Sequence, residues 1–490
     1  MRLLFIPVFN YPSNLNADSI YLISNGWCKR LVESSEDLTI TRLLPLRDSE
    51  SFLERYKYEY EPLHERVIDH FVPFKNRYTT EEINVEWETF KRYHPVWGTE
   101  PVDAVISTSS IKTFLLQRMF EVYGGNQPLF FNFELLIRGG KESKEVATIS
   151  RHEELTQAMG QTSGAINLFQ SPICKATALS NARAFVKPKA LESISRGEMI
   201  YSGFNGEVCT QLPLSARFEK KTVMIRGRIT PSKKYEQVME LYNKVIASGV
   251  DLKIVVTTGM SLLKKTKFGE GLIKNKNVDV LTFKQVEPSY EVMRKAHAFV
   301  FMSEHELFCV SVWEMIGAGL IGIIKREPWN KGLLPPDYPY LFDTETEAYV
   351  MLKDVIENYE ERLEAYQWVV DWVRAKYDYR ATTAKARDLI INAIKHHQAS
   401  FKPKKMLEEA LEAGELPNSG YIEDFEELVA SRSTFGGNFL ISRQRTLDLG
   451  ALYKSLSHFD FLVGLRKAGY VCEIRDNKLY FKLDKLRTGL

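Results

Sequence analysis

Residues 299–324 read FVFMSEHELFCVSVWEMIGAGLIGII. The run 299–302 is short, unbroken and apolar, the pattern of a strand buried on both faces. A polar loop with Glu304, His305 and Glu306 follows it. A helix-like segment bearing Glu314 comes next and stops at Gly317-Ala318-Gly319, after which 320–324 is a second buried strand. Strand, loop, helix, small-residue turn and strand in so short a span is the unit of a parallel sheet covered by helices.

The same alternation extends in both directions. Upstream, strands are expected at 3–8, 104–107, 129–133, 165–169 and 199–201. A second series comprises 222–225, 252–257, 278–283, 298–302 and 320–324, with helices such as 235–247 and 289–296 between the strands. Helical patterns then fill 345–358, 362–376 and 382–397. The polar break at 211–220, with Pro213, divides the series into two α/β domains. The expected organisation is a domain over 1–215, a second over 216–398, a linker over 399–421 and a small domain over 422–490.

Composition agrees with an ordinary globular protein of 490 residues, 44% hydrophobic and 26% charged. That excludes disordered, collagen-like and small disulfide-held classes. Cys28, Cys174, Cys209, Cys309 and Cys472 are odd in number and widely spaced, so neither a disulfide framework nor a zinc cluster is expected. The N-terminus reads as a strand and not as a signal peptide, and no apolar run reaches membrane-spanning length. A cytoplasmic location is the expectation. The net charge of +2 conceals local differences. Residues 401–430 hold 3 basic and 8 acidic side chains, whereas 431–490 hold 11 basic and 5 acidic.

Two nucleotide fingerprints are missing. No GxGxxG follows a strand, and 138–142 lacks the upstream Gly and the Ser/Thr of a P-loop. A different arrangement stands at 223–234, VMIRGRITPSKK, where a buried strand ends near Arg228 and Lys233 begins a helix. Two cations beside a helix N-terminus suit a pyrophosphate, although a solvated basic loop has the same composition. Glu306 and Glu314, with seven residues between them, can face one crevice at the sheet's carboxyl edge and accept hydrogen bonds from sugar hydroxyls.

These segments resemble retaining GT-B glycosyltransferases, particularly the large family 4 type. Glu306 to Glu314 is similar to the family's E-x7-E motif, and Gly227-Arg228 with Lys233 to its upstream phosphate motif. Residues 280–286, VLTFKQV, stand where the family's nucleobase loop lies, and 199–205 resemble the segment closing its first domain. The resemblance implies two Rossmann-like domains facing a cleft. It further implies that Arg228 and Lys233 hold the donor diphosphate, Glu314 the ribose and Glu306 the transferred sugar. Phe308, Cys309 and Val310 would line the donor with backbone amides, Lys284 would lie on the nucleobase loop, and no metal would be needed. The donor would be a nucleotide-sugar, UDP-linked by the same likeness.

The chain also departs from that pattern. Leu307, Cys309 and Lys234 replace family glycines, and a Cβ at Cys309 narrows the sugar's approach to the backbone. Asn14, Asn16 and Asp18 replace the Gly-Gly of the first loop and either bind acceptor or phosphate or cap a helix. On the acceptor side Glu134, at a strand end, is a candidate catalytic group, and His152 is another; His297 and His305 read as structural or exposed.

The basic terminal segment shows helix-like stretches at 422–431, 447–456 and 459–468. An alternating stretch at 470–483 then reads as a β-hairpin around Arg475-Asp476-Asn477. Helices followed by a hairpin resemble a winged helix-turn-helix, with Arg466 and Lys467 on the recognition helix and Arg475 and Lys478 on the wing; a protein-docking module fits as well. A transferase with such a module looks like the phage enzymes that glycosylate hydroxymethylated pyrimidines, which makes double-stranded DNA the expected partner. The alternatives are a transferase for a cell-surface glycan or lipid-linked acceptor, and a non-catalytic DNA-binding protein on the same scaffold.

Overall fold

The structure is a computed structural model that describes residues 1–8, 18–45, 60–72, 102–111, 113, 116–117, 120, 128–135, 151–227, 229–258, 263, 267–282, 287–399, 419–422, 470–475 and 478–483. Its first part contains β1 (Arg2–Ile6), α1 (Ser19–Glu33), β2 (Thr39–Pro45), β3 (Val67–Val72), β4 (Ala104–Ser107) and β5 (Leu129–Glu134). It continues with α2 (Arg151–Gln161), β6 (Ile166–Phe169), α3 (Pro172–Ala182), α4 (Leu191–Ser195) and β7 (Glu198–Met199). The seven strands form a parallel sheet in the order β3-β2-β1-β4-β5-β6-β7. Asp18 is the N-cap of α1, accepting from the Ile20 and Tyr21 amides at 2.8 and 3.2 Å. Of the two roles considered for it, this geometry realises the cap; Asn14 and Asn16 lie outside the described residues.

β2 and β3 are additions to the expected strands, and one ion pair explains why they read as polar. Arg42 of β2 and Asp69 of β3 have fully buried side chains and meet through two hydrogen bonds of 2.7 and 2.9 Å. Arg42 also donates to Asn25 and, at 3.4 Å, to Ser24 of α1. Pairing of this kind is what permits charges inside a sheet layer.

The second part runs β8 (Thr222–Arg226), α5 (Tyr235–Ala247), β9 (Lys253–Thr257), α6 (Lys267–Lys274), β10 (Val278–Leu281), α7 (Glu287–Lys295), β11 (Ala298–Phe301), α8 (Val310–Gly317), β12 (Ile321–Lys325) and β13 (Leu341–Phe342). Its sheet is again parallel, in the order β10-β9-β8-β11-β12-β13. Helices α9 (Glu345–Glu357), α10 (Tyr359–Tyr377) and α11 (Tyr379–Ala399) follow. The first two complete the second core, but α11 crosses back. Its Tyr379, Ala386, Ile390 and Ile394 join the first core with Trp27, Cys28 and Leu31. The crossing is braced where Phe204 donates to the Tyr377 carbonyl and accepts from the Tyr379 amide, both at 2.9 Å. By packing, then, the last helix of 216–398 belongs to the first unit.

The C-terminal segment contributes β14 (Ser419–Ile422), β15 (Tyr470–Arg475) and β16 (Lys478–Leu483), an antiparallel sheet in the order β14-β16-β15. The hairpin register runs from Tyr470↔Leu483 to Arg475↔Lys478, so the alternating stretch folds back where expected. Residues 419–421, assigned to the linker, are strand, and so is Ile422. The remainder of the three expected helices, with Arg466 and Lys467, lies outside the described residues.

Candidate functional site

In a doubly wound sheet, ligands bind at the carboxyl edge where the strand order reverses. In the second sheet that point lies between β8 and its neighbour β11. β8 delivers Arg226 and Gly227 to this edge, and β9 delivers Thr257 and Thr258. The loop after β11 delivers Ser303 through Cys309, the start of α5 brings Lys233 and α8 brings Glu314. Three residues there take left-handed backbone, Gly227 (φ 116°), Lys234 (φ 54°) and Cys309 (φ 56°). Cys309 therefore adopts the conformation a glycine would favour while carrying a side chain into the site.

The side chains form two buried cation–carboxylate pairs. Lys233 Nζ bonds Glu306 Oε1 and lies 5.3 Å from the Phe301 ring centroid and 3.7 Å from Cys309 Sγ. Arg226 donates to Glu314 Oε2 from Nε at 3.3 Å and Nη2 at 3.2 Å, and to Ser289 Oγ from Nη1 at 2.6 Å. Tyr290 donates its hydroxyl to Glu314 Oε1 at 2.7 Å, and its ring lies under the Arg226 guanidinium at 4.6 Å. Burial pushes the Cys309 thiol up to about 12, with Glu306 adding to the effect, so it stays protonated at neutral pH. Among the described residues, the buried hydroxyls of Thr257, Thr258 and Ser303 have no hydrogen-bond partner.

The structure thus joins Lys233 to Glu306 and brings Glu314 and Cys309 to the same edge; Arg228 and Lys284 lie outside the described residues. Phe308 is buried and packs against Tyr201, Trp313 and Tyr377, so its side chain is structural. Val310 touches both cores, and Leu307 packs on the first-domain cluster containing Phe169 and Cys174. The loop carrying Glu306 is thereby seated on both domains.

Glu134, the acceptor-side candidate, is enclosed at the end of β5. It has no exposed surface and accepts from Gln157 Nε2 at 3.2 Å and Gln161 Nε2 at 3.1 Å. Burial pushes its carboxyl up to about 7, against hydrogen bonds from Ser110, Gln161 and Gln157. The hydrogen bonds from the two glutamines tie β5 to α2. His152 lies on α2. His297 is structural, with Nδ1 accepting from the Thr222 amide at 3.0 Å.

Arg226, Ser289 and Tyr290 were not singled out from sequence. The available signal was an arginine closing an otherwise apolar strand, since a buried charge requires a partner. Its partner lies 88 positions away, beyond the reach of any local pattern.

No protein-family model matches the sequence, and no curated protein matches it. Solved structures do. Sucrose-phosphate synthase from Thermosynechococcus elongatus is similar over 81% of this chain and 100% of its own, with 13% identity and a TM-score of 0.59. Anabaena Alr3699/HepE, solved with UDP-glucose, covers 81% of this chain and 100% of its own at 10% identity and a TM-score of 0.56. The catalytic domain of starch synthase IV from Arabidopsis thaliana, bound to ADP and acarbose, covers 80% and 99% at 12% identity and a TM-score of 0.56. With two parallel Rossmann-like sheets joined by a returning C-terminal helix, the chain has the GT-B fold.

Proposed function

We propose that this chain is a glycosyltransferase that moves a sugar from a nucleotide-sugar to a hydroxyl acceptor with retention of anomeric configuration. The observation that carries the reading is the pairing of Lys233 with Glu306 and Arg226 with Glu314 at the switch point of the second sheet. Arg228 and Lys233 meet the diphosphate charge, Glu306 accepts from the transferred sugar, and Glu314 accepts from the ribose. As the bond from the anomeric carbon to the diphosphate oxygen breaks, its electron pair leaves with the diphosphate, which these cations stabilise. The acceptor hydroxyl oxygen bonds that carbon, and its proton passes to the departing phosphate oxygen. No metal enters this reading, so chelation by EDTA should leave the rate unchanged. The similarity to Anabaena HepE with UDP-glucose supports a UDP-linked donor.

The acceptor we propose is a hydroxymethylated pyrimidine in duplex DNA, in keeping with the 11 basic against 5 acidic residues of 431–490 and the hairpin bearing Arg475 and Lys478. The direct experiment incubates duplex carrying that base with a panel of nucleotide-sugars and reads its mass. A hexose- or pentose-sized gain, lost in Glu306→Ala and Arg228→Ala variants that melt normally, is the expected result. If no donor increases the DNA mass while a glycan acceptor is extended, the acceptor is a cell-surface or lipid-linked glycan. Transfer undiminished in Glu306→Ala would remove the donor-site assignment.

A further inference from the structure

The register of the C-terminal sheet sorts its residues by face, which charge counting over the segment does not. Directly paired residues of an antiparallel sheet share a side, and successive residues of one strand alternate sides. One side of β14-β16-β15 therefore carries Ile422, Leu479 and Ile474 in one row and Gly420, Phe481 and Cys472 in the next. The other side carries Lys478 with Arg475, then Tyr421, Tyr480 and Glu473, then Ser419, Lys482 and Val471. The first face is apolar, while the second holds three cations, one carboxylate and two tyrosines. Alternation of this kind is the pattern of an antiparallel sheet with one packed and one solvated face.

Two features of the second face select a partner. Arg475 and Lys478 stand directly opposite each other, an arrangement that destabilises a hairpin because like charges so placed repel. An anion beside them removes that repulsion. Tyr421 and Tyr480 are likewise opposite, on the neighbouring strands β14 and β16, so two aromatic residues lie side by side on this face. Along β16, Lys478 and Lys482 stand two residues before and after Tyr480, about 6.5 Å each way at the rise of a strand. Cations on either side of an aromatic pair match a nucleic-acid strand whose bases are unpaired. Its phosphates meet the cations, and a base lays its π-face on a tyrosine. A duplex offers the same phosphates but keeps its base faces stacked inside, so it has no use for the tyrosines.

We infer that this face binds single-stranded DNA, with Tyr421 and Tyr480 as base platforms and Arg475, Lys478 and Lys482 as phosphate contacts. The inference deepens the DNA-acceptor reading above and rests on it. A base inside a duplex must leave its stack before chemistry can reach it, so an enzyme that modifies bases has a use for a surface that holds unpaired strand.

The test is fluorescence anisotropy of the full chain with a labelled deoxythymidine oligomer of about twelve nucleotides and with a duplex of the same length, over a series of salt concentrations. The single strand should bind more tightly than the duplex. Tyr480→Ala should weaken single-strand binding roughly tenfold, whereas Tyr480→Phe, which keeps the ring, should stay within about twofold of wild type. Lys478→Gln and Lys482→Gln should each lower the slope of log affinity against log salt by about 0.7. That slope supplies the result if Tyr480→Ala melts early. No binding of the single strand, duplex bound as tightly, or a Tyr480→Ala chain with wild-type affinity overturns the inference. The acceptor reading then stands without it, provided that duplex carrying the modified base still gains mass from a nucleotide-sugar. If neither strand nor duplex binds and no duplex gains mass, both fall.

Discussion

Replacing Glu134 with glutamine tests whether its carboxyl stays protonated in the folded chain, because an amide has no proton to release. Glu134 has no exposed surface, and burial pushes its carboxyl from an ordinary 4.5 up to about 7. Below 4.5 the group is protonated in both folded and unfolded chains and its effect on stability is constant. Between 4.5 and about 7 the unfolded chain releases the proton while the folded one retains it, so stability falls as pH rises and then levels off. At about 1.4 kcal/mol per pH unit the loss across that window is about 3 kcal/mol. A glutamine amide does not ionise, so the Glu134→Gln chain should lack this slope. Melting should be followed by calorimetry at pH 5 and pH 8 for both chains. The variant's melting temperature minus the wild type's should be higher at pH 8 than at pH 5, a comparison in which other titrating groups cancel. A pH-independent difference would falsify the buried, raised carboxyl. A Glu134→Gln chain that melts normally but loses all transfer at both pH values would give the carboxyl a direct catalytic role.

Other perturbations follow from single contacts. His297 is pushed down to about 3 by burial, with Lys221 and Arg217 adding to the effect, so its neutral form is the folded one. Its contribution is present above 6.5 and lost as pH falls towards 3; a His297→Gln chain should therefore lose less melting temperature than wild type between pH 6.5 and 4. A Cβ at Gly317 would lie 2.5 Å from the buried ring of Phe204, so Gly317→Ala should cost about 1–3 kcal/mol despite the better helix propensity of alanine, read as a lower melting temperature. Cys309→Gly removes left-handed strain of about 1 kcal/mol and should leave melting unchanged or raised, while the wider approach alters the preferred donor sugar in a panel assay. Deleting 400–490 should weaken duplex binding and flatten its salt dependence; unchanged affinity would make that segment a docking module.

Much of the architecture was legible because buried strands and amphipathic helices have different periods. The expected 235–247 coincides with α5, and 104–107 with β4. β2 and β3 were hidden because Arg42 and Asp69 made them look polar, and only their contact across neighbouring strands shows that the charges cancel. The return of α11 was hidden for a related reason. Its apolar face at Tyr379, Ala386, Ile390 and Ile394 shows that it is buried but not against which core. In the site, Glu306, Glu314 and Lys233 were visible through spacing from strand and helix ends. Arg226 and Tyr290 were not, because what distinguishes them is the carboxylate they share, far away in sequence.

The Lys233–Glu306 pair bears on what the site accepts under the proposed function. The two side chains keep 11% and 5% of their exposure, so drawing one from the other leaves a nearly dry charge. Removing one partner of a buried pair typically costs about 3–5 kcal/mol. A phosphate group alone could take Lys233, but it would leave Glu306 unpaired and place a second anion beside it. A free sugar could give hydroxyls to Glu306, but it would offer Lys233 nothing better than the carboxylate it has. A sugar joined to a phosphate supplies both at once, an anion for the ammonium and O–H donors for the carboxylate. The pair therefore favours the intact sugar-phosphate over either fragment. Under the same function Cys309, held in left-handed backbone with its sulfur 3.7 Å from Lys233 Nζ, would limit the sugars that reach that position.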